Sequence, residues 1–490
     1  MQANREVETK LTVPDDFVMP HLADVKGVDR VAVRLLRMRA TYYDAEDLRL
    51  ARSGTTLRYR TGEARPGWTL KLGTVAAVGL DREELTVHGP ASAVPAELRD
   101  LLTARLRGAP VQKVVQLRTR RTSSLLYDVD GTELLEVVED RVEALQGTTV
   151  VTAWREVEVE QRPGGERVAV RVLTLLGENG ACVGKQTPKA VRALGPRAAE
   201  PPDLPRSRPV RRKDPAADLV RRSLADGMSR LVAHDEEVRR GLEDAVHQVR
   251  VTCRRLRSDL RTFRLLFDDP RVEPLRGELA WLAGSFGAAR DLEVLRARVQ
   301  RTAAQDPLSP LDATEVDVLL AAQEQVAVQS ALDALRSPRY LALLQLLHDV
   351  ATEPLFGPLA EEPCGTVLPG LVDGAWAHLR KHARRLRLDD VDADWHRARI
   401  LAKRARYAAE AAQVALGKEA AKVARVAKKV QEVLGEHQDA AVAADRVLAL
   451  AEAHPTDHRL AVTCGRLAER ERANVVTARR GFLRTWRRAS

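Results

Sequence analysis

The chain has 490 residues, and its ordinary apolar fraction of 44% is enough to build packed cores in two or three domains. Its 79 Lys and Arg residues exceed its 69 Asp and Glu residues, and the net charge of +10 favours polyanionic partners such as nucleic acid, anionic membrane or polyphosphate. Aromatic residues make up only 4%, which argues against base stacking, and so against nucleic acid, as the main binding mode.

The four cysteines are far apart in the sequence and show no metal-binding spacing, so we expect reduced thiols. The N-terminal segment is charged from Arg5 onward and lacks the apolar region of a signal peptide. No run of about 18 apolar residues is present, which predicts that nothing spans a membrane. These features together predict a cytoplasmic protein.

The first predicted strand carries charge on one face. Side chains alternate along a strand, so Glu6, Glu8 and Lys10 share a face. Charged groups are costly to bury against an apolar core, so this face should line a polar cavity or meet solvent. In a cavity, the two carboxylates could hold a hard divalent cation and the lysine could meet a phosphate. A solvated strand face is the alternative.

Alternating patterns predict further strands as far as Glu160, with short helices at 47–53 and 96–106. The predicted strands span 34–44, 56–61, 68–72, 82–87, 111–122, 134–144 and 154–160. Several of them repeat the separation of charged and apolar faces, and Arg121 is predicted to point away from Arg118 and Arg120. The candidate acids on the polar faces are Glu6, Glu8, Glu156, Glu158 and Glu160, and the candidate bases are Lys10, Arg58, Arg60, Lys71, Arg118 and Arg120.

A closed barrel with a wet lumen can turn such a polar face inward. Mixed acids and bases in one lumen suit a metal–polyphosphate ligand, because acids hold the cation and bases hold the phosphate oxygens. An antiparallel sheet with one solvated face would produce the same pattern, so both interpretations stay open on these residues alone.

The first motif resembles the E-x-E-x-K signature of the CYTH superfamily, the triphosphate tunnel metalloenzymes. The resemblance covers about residues 1 to 195 and continues through Tyr42-Tyr43-Asp44, Leu48-Arg49-Leu50-Ala51, Leu57-Arg58-Tyr59-Arg60, Trp68-Thr69-Leu70-Lys71, Arg118-Thr119-Arg120-Arg121, Glu156-Val157-Glu158-Val159-Glu160 and Gly184-Lys185. It implies an eight-stranded antiparallel β-barrel, or tunnel, that binds triphosphates with Mg²⁺ or Mn²⁺. Two departures are the small, uncharged loop at 73–79 and the pair Gly184-Lys185, where the family often has Ser-Lys.

The resemblance also implies roles for individual residues. The metal ligands would be Glu6, Glu8, Glu156, Glu158 and Glu160, and the phosphate-binding residues would be Lys10, Arg58, Arg60, Lys71, Arg118, Arg120 and Lys185. Glu6, Glu8 and Lys10 would take part in catalysis, and Lys10 would hold either the attacking water or the terminal phosphate.

A Pro/Arg-rich segment at 198–213 shows no apolar period and predicts a linker between domains at 1–197 and 214–490. After it the apolar period becomes helical, and proline clusters separate long helices. The expected architecture is therefore a multidomain α+β chain: an N-terminal antiparallel barrel followed by an all-α domain of two pseudo-symmetric helical-bundle halves, at about 214–352 and 369–490.

The helical part contains an internal duplication. The segments at 247–257 and 396–406 both read His-x-x-Arg-aliphatic-x-x-basic-Arg-x-Arg, and Asp291 and Asp439 follow the histidines at offsets of 44 and 43 residues. The histidine and basic residues of each segment fall on one helical stripe: His247, Arg250, Arg254 and Arg257 in the first, and His396, Arg399, Lys403 and Arg406 in the second. Such a stripe repels itself unless an anion binds, although a solvated basic face is the usual explanation.

These segments resemble the CHAD domain, an α-helical module of two similar halves found beside CYTH domains, over about residues 215 to 485. The resemblance implies a basic channel that binds inorganic polyphosphate through the two stripes, with Arg290 as a further contact. Gln438 stands where the first half has Arg290, and Asp291 and Asp439 are interpreted as helix-capping or arginine-orienting residues.

His378 and His382 have the i, i+4 spacing of a metal pair, but a basic helix face is the favoured interpretation. The leading functional hypothesis is a divalent-metal-dependent triphosphatase that also binds polyphosphate. The alternatives are an adenylate cyclase and a non-catalytic protein that binds polyphosphate or targets polyphosphate granules. The sequence leaves the exact triphosphate, the metal and the oligomeric state open.

Overall fold

The computed structural model describes residues 2–62, 65–73, 82–184, 187–305 and 313–489, and for residues 2–7, 82–83 and 488–489 the description covers the backbone. It divides into two compact units, Met1–Asp203 and Leu204–Ser490. The first unit is built on an antiparallel sheet and the second is helical. This order of an antiparallel β domain followed by an all-α domain confirms the predicted fold class.

The described residues of the first unit form a nine-stranded sheet in the order β5-β4-β3-β2-β6-β7-β8-β1-β9. The strands are β1 Gln2–Thr12, β2 Arg30–Asp44, β3 Thr56–Thr61, β4 Gly67–Leu72, β5 Arg82–His88, β6 Gln112–Tyr127, β7 Glu133–Gln146, β8 Thr149–Gln161 and β9 Cys182–Val183. The predicted number of strands was eight; the ninth is the two-residue β9, which pairs with the end of β1.

Strand β1 has two partners along its length. Its first part pairs with β5 from Gln2 opposite Thr86 to Glu6 opposite Arg82. Its second part pairs with β8 from Val7 opposite Gln161 to Thr12 opposite Glu156. Because β5 stands at one end of the strand order and β8 lies beside β1 at the other, β1 brings the two ends of the sheet together.

The apolar core of this unit lies outside the sheet. Helices cover the outer face, and they are α1 Arg49–Arg52, α2 Ala96–Leu101, α3 Thr103–Leu106, α4 Glu166–Glu178 and α5 Lys189–Leu194. Leu57, Trp68 and Leu70 of β3 and β4 pack with leucines of α1 to α3. Val157 and Val159 of β8 pack in a second cluster that includes α4 residues. Since the alternate side chains of the same strands point the other way, the inner face is free to be polar.

The second unit contains ten described α-helices. They are α6 Ala216–Arg239, α7 Ala245–Thr262, α8 Val272–Ser285, α9 Gly287–Ala304, α10 Thr314–Arg336, α11 Pro338–Thr352, α12 Cys364–Ala383, α13 Asp392–Leu416, α14 Lys418–Ala453 and α15 His458–Ala489. The two duplicated segments lie on α7 and α13. The halves differ downstream, because the first has two helices, α8 and α9, where the second has the single 36-residue α14.

Helices α14 and α15 take part in two separate apolar cores. One end of the pair packs with α12 and α13 around Trp395, Leu434 and Phe482. The other end packs with α9 and α10 around Val299, Val447 and Leu467. Within the described part of the chain, no helix combines the length and the apolar character needed to cross a membrane.

Candidate functional site

The inner face of the sheet encloses a polar cavity of about 300 Å³, which we call the β-domain cavity. Charged side chains from β1, β3, β4, β5, β6, β7, β8 and α5 line it. The acidic lining residues are Glu8, Glu84, Glu136, Asp140, Glu158 and Glu160, and the basic ones are Lys10, Arg58, Arg60, Lys71, Arg121, Arg162 and Lys189. Both signs of charge therefore meet in one small space.

Three carboxylates of the cavity could hold a metal ion. Glu8, Glu158 and Glu160 each offer one oxygen, and these three atoms all lie within 4.8 Å of one another. An all-carboxylate donor set suits a hard divalent cation such as Mg²⁺, so these residues fit the metal that the motif implies. The Lys10 ammonium supplies positive charge there, because its Nζ lies 2.7 Å from Glu158 Oε1 and 3.5 Å from Glu8 Oε1.

A second carboxylate group, Asp140, Glu156 and Glu158, surrounds the Lys189 ammonium. Lys189 Nζ lies 2.9 Å from Asp140 Oδ2, 2.7 Å from Glu156 Oε1 and 2.9 Å from Glu158 Oε1. Burial opposes protonation of Lys189, but the three carboxylates outweigh it and raise its pKa. A side-chain cation therefore already occupies the centre of this second group.

Arg121 completes the network around the buried carboxylates. Its Nε and Nη2 donate to the two oxygens of Asp140 at 2.8 and 2.7 Å, and Nη2 also lies 3.4 Å from Glu158 Oε2. Burial of Glu158 opposes its ionisation, but Lys189, Lys10 and Arg121 together hold its pKa well below the usual range. Glu158 is thus a carboxylate shared by both acidic groups.

The basic wall of the cavity is centred on Glu84. Lys71 Nζ lies 2.7 Å from Glu84 Oε2, and Arg58 Nη2 lies 3.6 Å from Glu84 Oε1. Burial opposes ionisation of Tyr42, yet the charge of Arg58 and its hydrogen bond to the phenol lower the tyrosine pKa. The wall therefore presents the cations of β3 and β4 beside a buried phenol of the neighbouring strand β2.

The structure places most of the predicted tunnel residues together. Glu8, Lys10, Arg58, Arg60, Lys71, Glu158 and Glu160 line the cavity, and Glu156 reaches its edge through Lys189. Three of the predicted features lie outside the described residues. They are the side chain of Glu6, the whole of Lys185 and the loop residues after Gly73.

Arg118 and Arg120 were expected to bind phosphate, and their side chains do not line the cavity. Leu117, Thr119 and Arg121 occupy the inward positions of β6, so the intervening arginines point outward. Arg118 pairs with Glu143 on the outside of β7, and Arg120 is exposed. Arg121 does point away from Arg118 and Arg120, as the strand period predicts, and it is the arginine of this group that lines the cavity.

Sequence reasoning missed several lining residues: Glu84, Glu136, Asp140, Arg162 and Lys189. Alternation within β7 does put Glu136 and Asp140 on one face, but the apolar Val138 and Val142 share that face and conceal the pattern. Lys189 lies on a short helix after the last strand, so no strand period could have assigned it.

The helical unit contains a second cavity of about 480 Å³, the helical-domain cavity. It is lined by α7 and α13 together with α9 and α14. The basic and histidine residues that line it are His247, Arg250, Arg254, Arg290, Arg298, His396, Arg399, Lys403 and Arg406. The two duplicated segments therefore face one space.

Several buried nitrogen atoms of this cavity lack a hydrogen-bond partner among the described residues. The buried Arg254 Nε, Arg399 Nε and His247 Nδ1 have no hydrogen-bond partner among the described residues. Burial lowers the pKa of Lys403 to about 7, and the charges of Arg399, Arg254 and Arg250 add to the effect. Burial lowers the pKa of Arg254 as well, with Arg250, Arg399 and Arg406 contributing. Cations held this close repel one another until an anion reaches them.

Acidic residues next to the stripes orient two of the arginines. Arg250 Nη1 lies 2.6 Å from Asp291 Oδ1, and the equivalent Arg399 Nη2 lies 3.9 Å from Asp439 Oδ1. Gln438 Oε1 accepts a hydrogen bond from His396 Nδ1 at 2.6 Å, so Gln438 occupies the position of Arg290 with a different role.

Arg257 was expected on the basic stripe, but it does not line the helical-domain cavity. Angular position is not the reason, because Arg406 follows His396 at the same ten-residue offset and does line the cavity. The cations beside Arg257 are Arg276 and Arg261, which lie away from this cavity.

Comparisons with known proteins match both units. The family model of the CYTH domain matches residues 4–171, and that of the CHAD domain matches residues 222–448. The uncharacterized protein Rv2226 of Mycobacterium tuberculosis is 34% identical over 497 aligned positions, which cover 95% of this chain and 92% of that protein.

Two solved structures are also similar. PptA from Streptomyces chartreusis has 24% identity and a TM-score of 0.48, with 56% of this chain and 100% of that chain covered. The CHAD domain from the plant Ricinus communis has 26% identity and a TM-score of 0.46, with 57% and 95% covered.

Proposed function

Because the chain belongs to the family of proteins that join a CYTH domain to a CHAD domain, we propose that its β-domain cavity hydrolyses a triphosphate with a divalent metal ion. The observation that carries this proposal is the juxtaposition inside one cavity of a carboxylate trio with several cations. Carboxylates bind the metal, and arginine and lysine bind phosphate oxygens. Neither set alone would suit a metal–triphosphate complex.

The size of the cavity favours a short phosphate chain. Its volume of about 300 Å³ is at the lower end of the range of about 300–1,000 Å³ typical of ligand pockets. Arg58, Arg60 and Lys71 approach from β3 and β4, while Lys10 approaches from β1. A bound triphosphate would therefore be held by cations from three different strands, which fixes the orientation of the scissile bond.

In this proposal Glu8, Glu158 and Glu160 hold the metal ion. When bound, the ion would neutralise charge on the phosphate oxygens and lower the pKa of a water molecule. The cationic side chains would stabilise the charge that develops on the leaving phosphate. Lys189 and Arg121 would act indirectly, because their ion pairs keep Glu158 ionised and oriented.

A hydrolysis panel tests the proposal. The full-length protein is incubated with inorganic triphosphate, longer polyphosphate, ATP or thiamine triphosphate, in Mg²⁺, in Mn²⁺ or in EDTA. We expect phosphate release from at least one triphosphate, only with metal, and its loss in the double variant Glu6→Gln, Glu8→Gln. Absence of release from every substrate would contradict the proposal. Cyclic AMP formed from ATP would instead identify a cyclase.

We infer a second function, binding of inorganic polyphosphate, for the helical-domain cavity. The specific observation is that basic residues of α7 and α13 face one cavity, where the buried Nε atoms of Arg254 and Arg399 have no hydrogen-bond partner among the described residues. A phosphate chain carries a negative charge on every unit and needs no aromatic stacking partner, so it suits a basic and aromatic-poor cavity. Calorimetric titration of the full-length protein with polyphosphate in EDTA tests this inference, and no heat of binding would contradict it.

A further inference from the structure

We propose that the helical domain has a second anion site, outside the helical-domain cavity, which takes an organic phosphate ester. The site is a groove between the end of α7, α12 and α13, and we call it the outer groove. It consists of two cavities of about 330 and 550 Å³ that share His378 and Leu401. The residues at issue are His378 and His382, which the sequence marks as a pair, and the cations around them.

Helix α13 separates the outer groove from the helical-domain cavity. Arg399, Lys403 and Arg406 face the helical-domain cavity. Arg397, Leu401 and Arg404 follow at i, i+4 and i+7 and line the outer groove. The i, i+4, i+7 positions of a helix share a face, so the same helix presents basic residues to two separate spaces.

The cations of the outer groove have no ion-pair partner among the residues that the structure describes. They are Arg261 and Arg404 in one cavity, and Lys381, Arg385 and Arg397 in the other. Burial lowers the pKa of Arg404, and the nearby Arg261, Arg276 and Arg397 lower it further. An anion bound between these cations would relieve the repulsion.

The acidic and histidine residues of the groove do not cancel its charge. Asp390 accepts a hydrogen bond from the backbone N–H of Arg387 at 2.8 Å, and Asp394 lies in the first turn of α13. His378 Nδ1 lies 2.7 Å from the carbonyl oxygen of Gly374, and His382 Nε2 lies 2.9 Å from that of Asp394. Each ring is therefore anchored to backbone, which favours a role in an anion-binding wall over a metal pair.

The floor between the cations is apolar and open, which points to an ester rather than a bare phosphate chain. Gly370, Leu371, Gly374 and Ala375 of α12 lie there opposite Leu401. A Cβ atom built on Gly370 or Gly374 meets no heavy atom within 4 Å, so the groove has free space at both positions. The organic group of an ester gains by leaving water at such a floor, whereas inorganic phosphate gains nothing from it.

Calorimetric titration of the full-length protein in EDTA, with ADP and with inorganic pyrophosphate as the two probes, tests the outer groove. Two variants are used: Arg261→Gln with Arg404→Gln removes charge, and Gly374→Leu fills the floor without changing charge. Gly465→Leu on α15 is the matched control, because that glycine is exposed and its Cβ would also meet no atom. The control reports any general effect of a helical glycine replacement.

We expect ADP to bind the unaltered protein, and each groove variant to weaken that binding by about tenfold or more, because charged hydrogen bonds or the apolar contact are lost. Gly465→Leu should leave ADP binding unchanged. Metal-dependent phosphate release should also stay unchanged in the groove variants, so the two proposals can fail separately.

Three results would overturn the outer-groove proposal. They are no binding of ADP, ADP binding that both groove variants leave intact, and pyrophosphate binding as tight and as sensitive to Gly374→Leu as ADP binding. The third result would show that the organic group does not use the apolar floor.

Discussion

The Lys10 ammonium lies 2.7 Å from Glu158 Oε1, on neighbouring strands that the chain reaches almost 150 residues apart. Glu158 also contacts Lys189 at 2.9 Å and Arg121 at 3.4 Å, and it belongs to both carboxylate groups of the β-domain cavity. A single buried carboxylate thus connects the metal-binding side of the cavity to its supporting ion pairs.

The first prediction concerns this carboxylate. Glu158→Gln should lower metal-dependent phosphate release by about 100-fold or more, because it removes a metal ligand and the charge that positions Lys10. Release is measured with the substrate that the hydrolysis panel identifies. The affinity for Mn²⁺ in the absence of substrate, measured by titration, should fall together with the rate of phosphate release.

Glu143→Gln is the matched control for Glu158→Gln. Glu143 is on the neighbouring strand, pairs with Arg118 outside the sheet, and should tolerate the same change without loss of activity. Both assays are run below the melting temperature of each variant. This is necessary because the Glu158 carboxylate is buried and ion-paired, so Glu158→Gln should also lower the stability of the fold. Full activity of Glu158→Gln would remove it from the proposed metal site.

The second prediction compares the neighbouring arginines Arg120 and Arg121. Arg121→Gln should destabilise the β domain by about 3 kcal/mol, because it leaves buried Asp140 without its two-point partner. Arg120→Gln should change stability by no more than about 0.5 kcal/mol, as expected for an exposed side chain. Urea unfolding measures both, and equal effects would show that the assigned faces of β6 are wrong.

This pair also shows why the tunnel was only partly predictable. The strand period correctly separates Arg118 and Arg120 from Arg121, but it does not say which face is inside. In β3 and β4 the apolar face is Leu57, Trp68 and Leu70, and it packs against helices outside the sheet. On β6 both faces carry arginine, so the choice rests on pairing with β7 and on Asp140, which local sequence does not contain.

The features that the sequence predicted well are those with a regular or duplicated residue pattern. The E-x-E-x-K strand and the duplicated histidine–arginine segments mark the two cavities, and the family comparison confirms the order of the two domains. Contacts made by single residues far apart in the chain were not predictable. Lys189 reaches three carboxylates from a six-residue helix, and the pattern of its own segment gives no indication of this.

The third prediction uses the pKa of Lys403, which is about 7 in the folded domain and about 10.4 for an unfolded lysine. Between these values the unfolded chain binds more protons, so the free energy of unfolding rises with pH. The buried charge of Lys403 destabilises the fold fully below about pH 7. This destabilisation decreases as the pH rises from about 7 towards about 10.4. Without polyphosphate, stability should therefore increase from about pH 7 to about pH 9.

Lys403→Gln should remove about 2 kcal/mol of that increase, as measured by urea unfolding at several pH values. Lys422→Gln, on the exposed side of α14, should leave the pH dependence unchanged. The two proteins could instead show the same slope of the free energy of unfolding against pH. Lys403 would then be charged over the whole pH range, and the cations of the cavity would repel one another less than their geometry indicates.

The fourth prediction compares two arginines of α7 that the sequence pattern treats alike. Arg254 lines the helical-domain cavity and has a buried Nε without a partner, whereas Arg257 lies outside that cavity. Arg254→Gln should weaken polyphosphate binding by about tenfold, because a charge-assisted contact with phosphate is worth about 1.5–3 kcal/mol. Arg257→Gln should change the affinity by less than about twofold, since its charge acts only through solvent.

Calorimetry at two salt concentrations decides between the two arginines. A direct phosphate contact releases counterions when it forms, so the salt dependence of binding should become shallower for Arg254→Gln and stay constant for Arg257→Gln. If both variants lose affinity equally, the phosphate chain runs along the whole basic stripe of α7, past the end of the cavity. The position of Arg257 outside the helical-domain cavity would then carry no functional meaning.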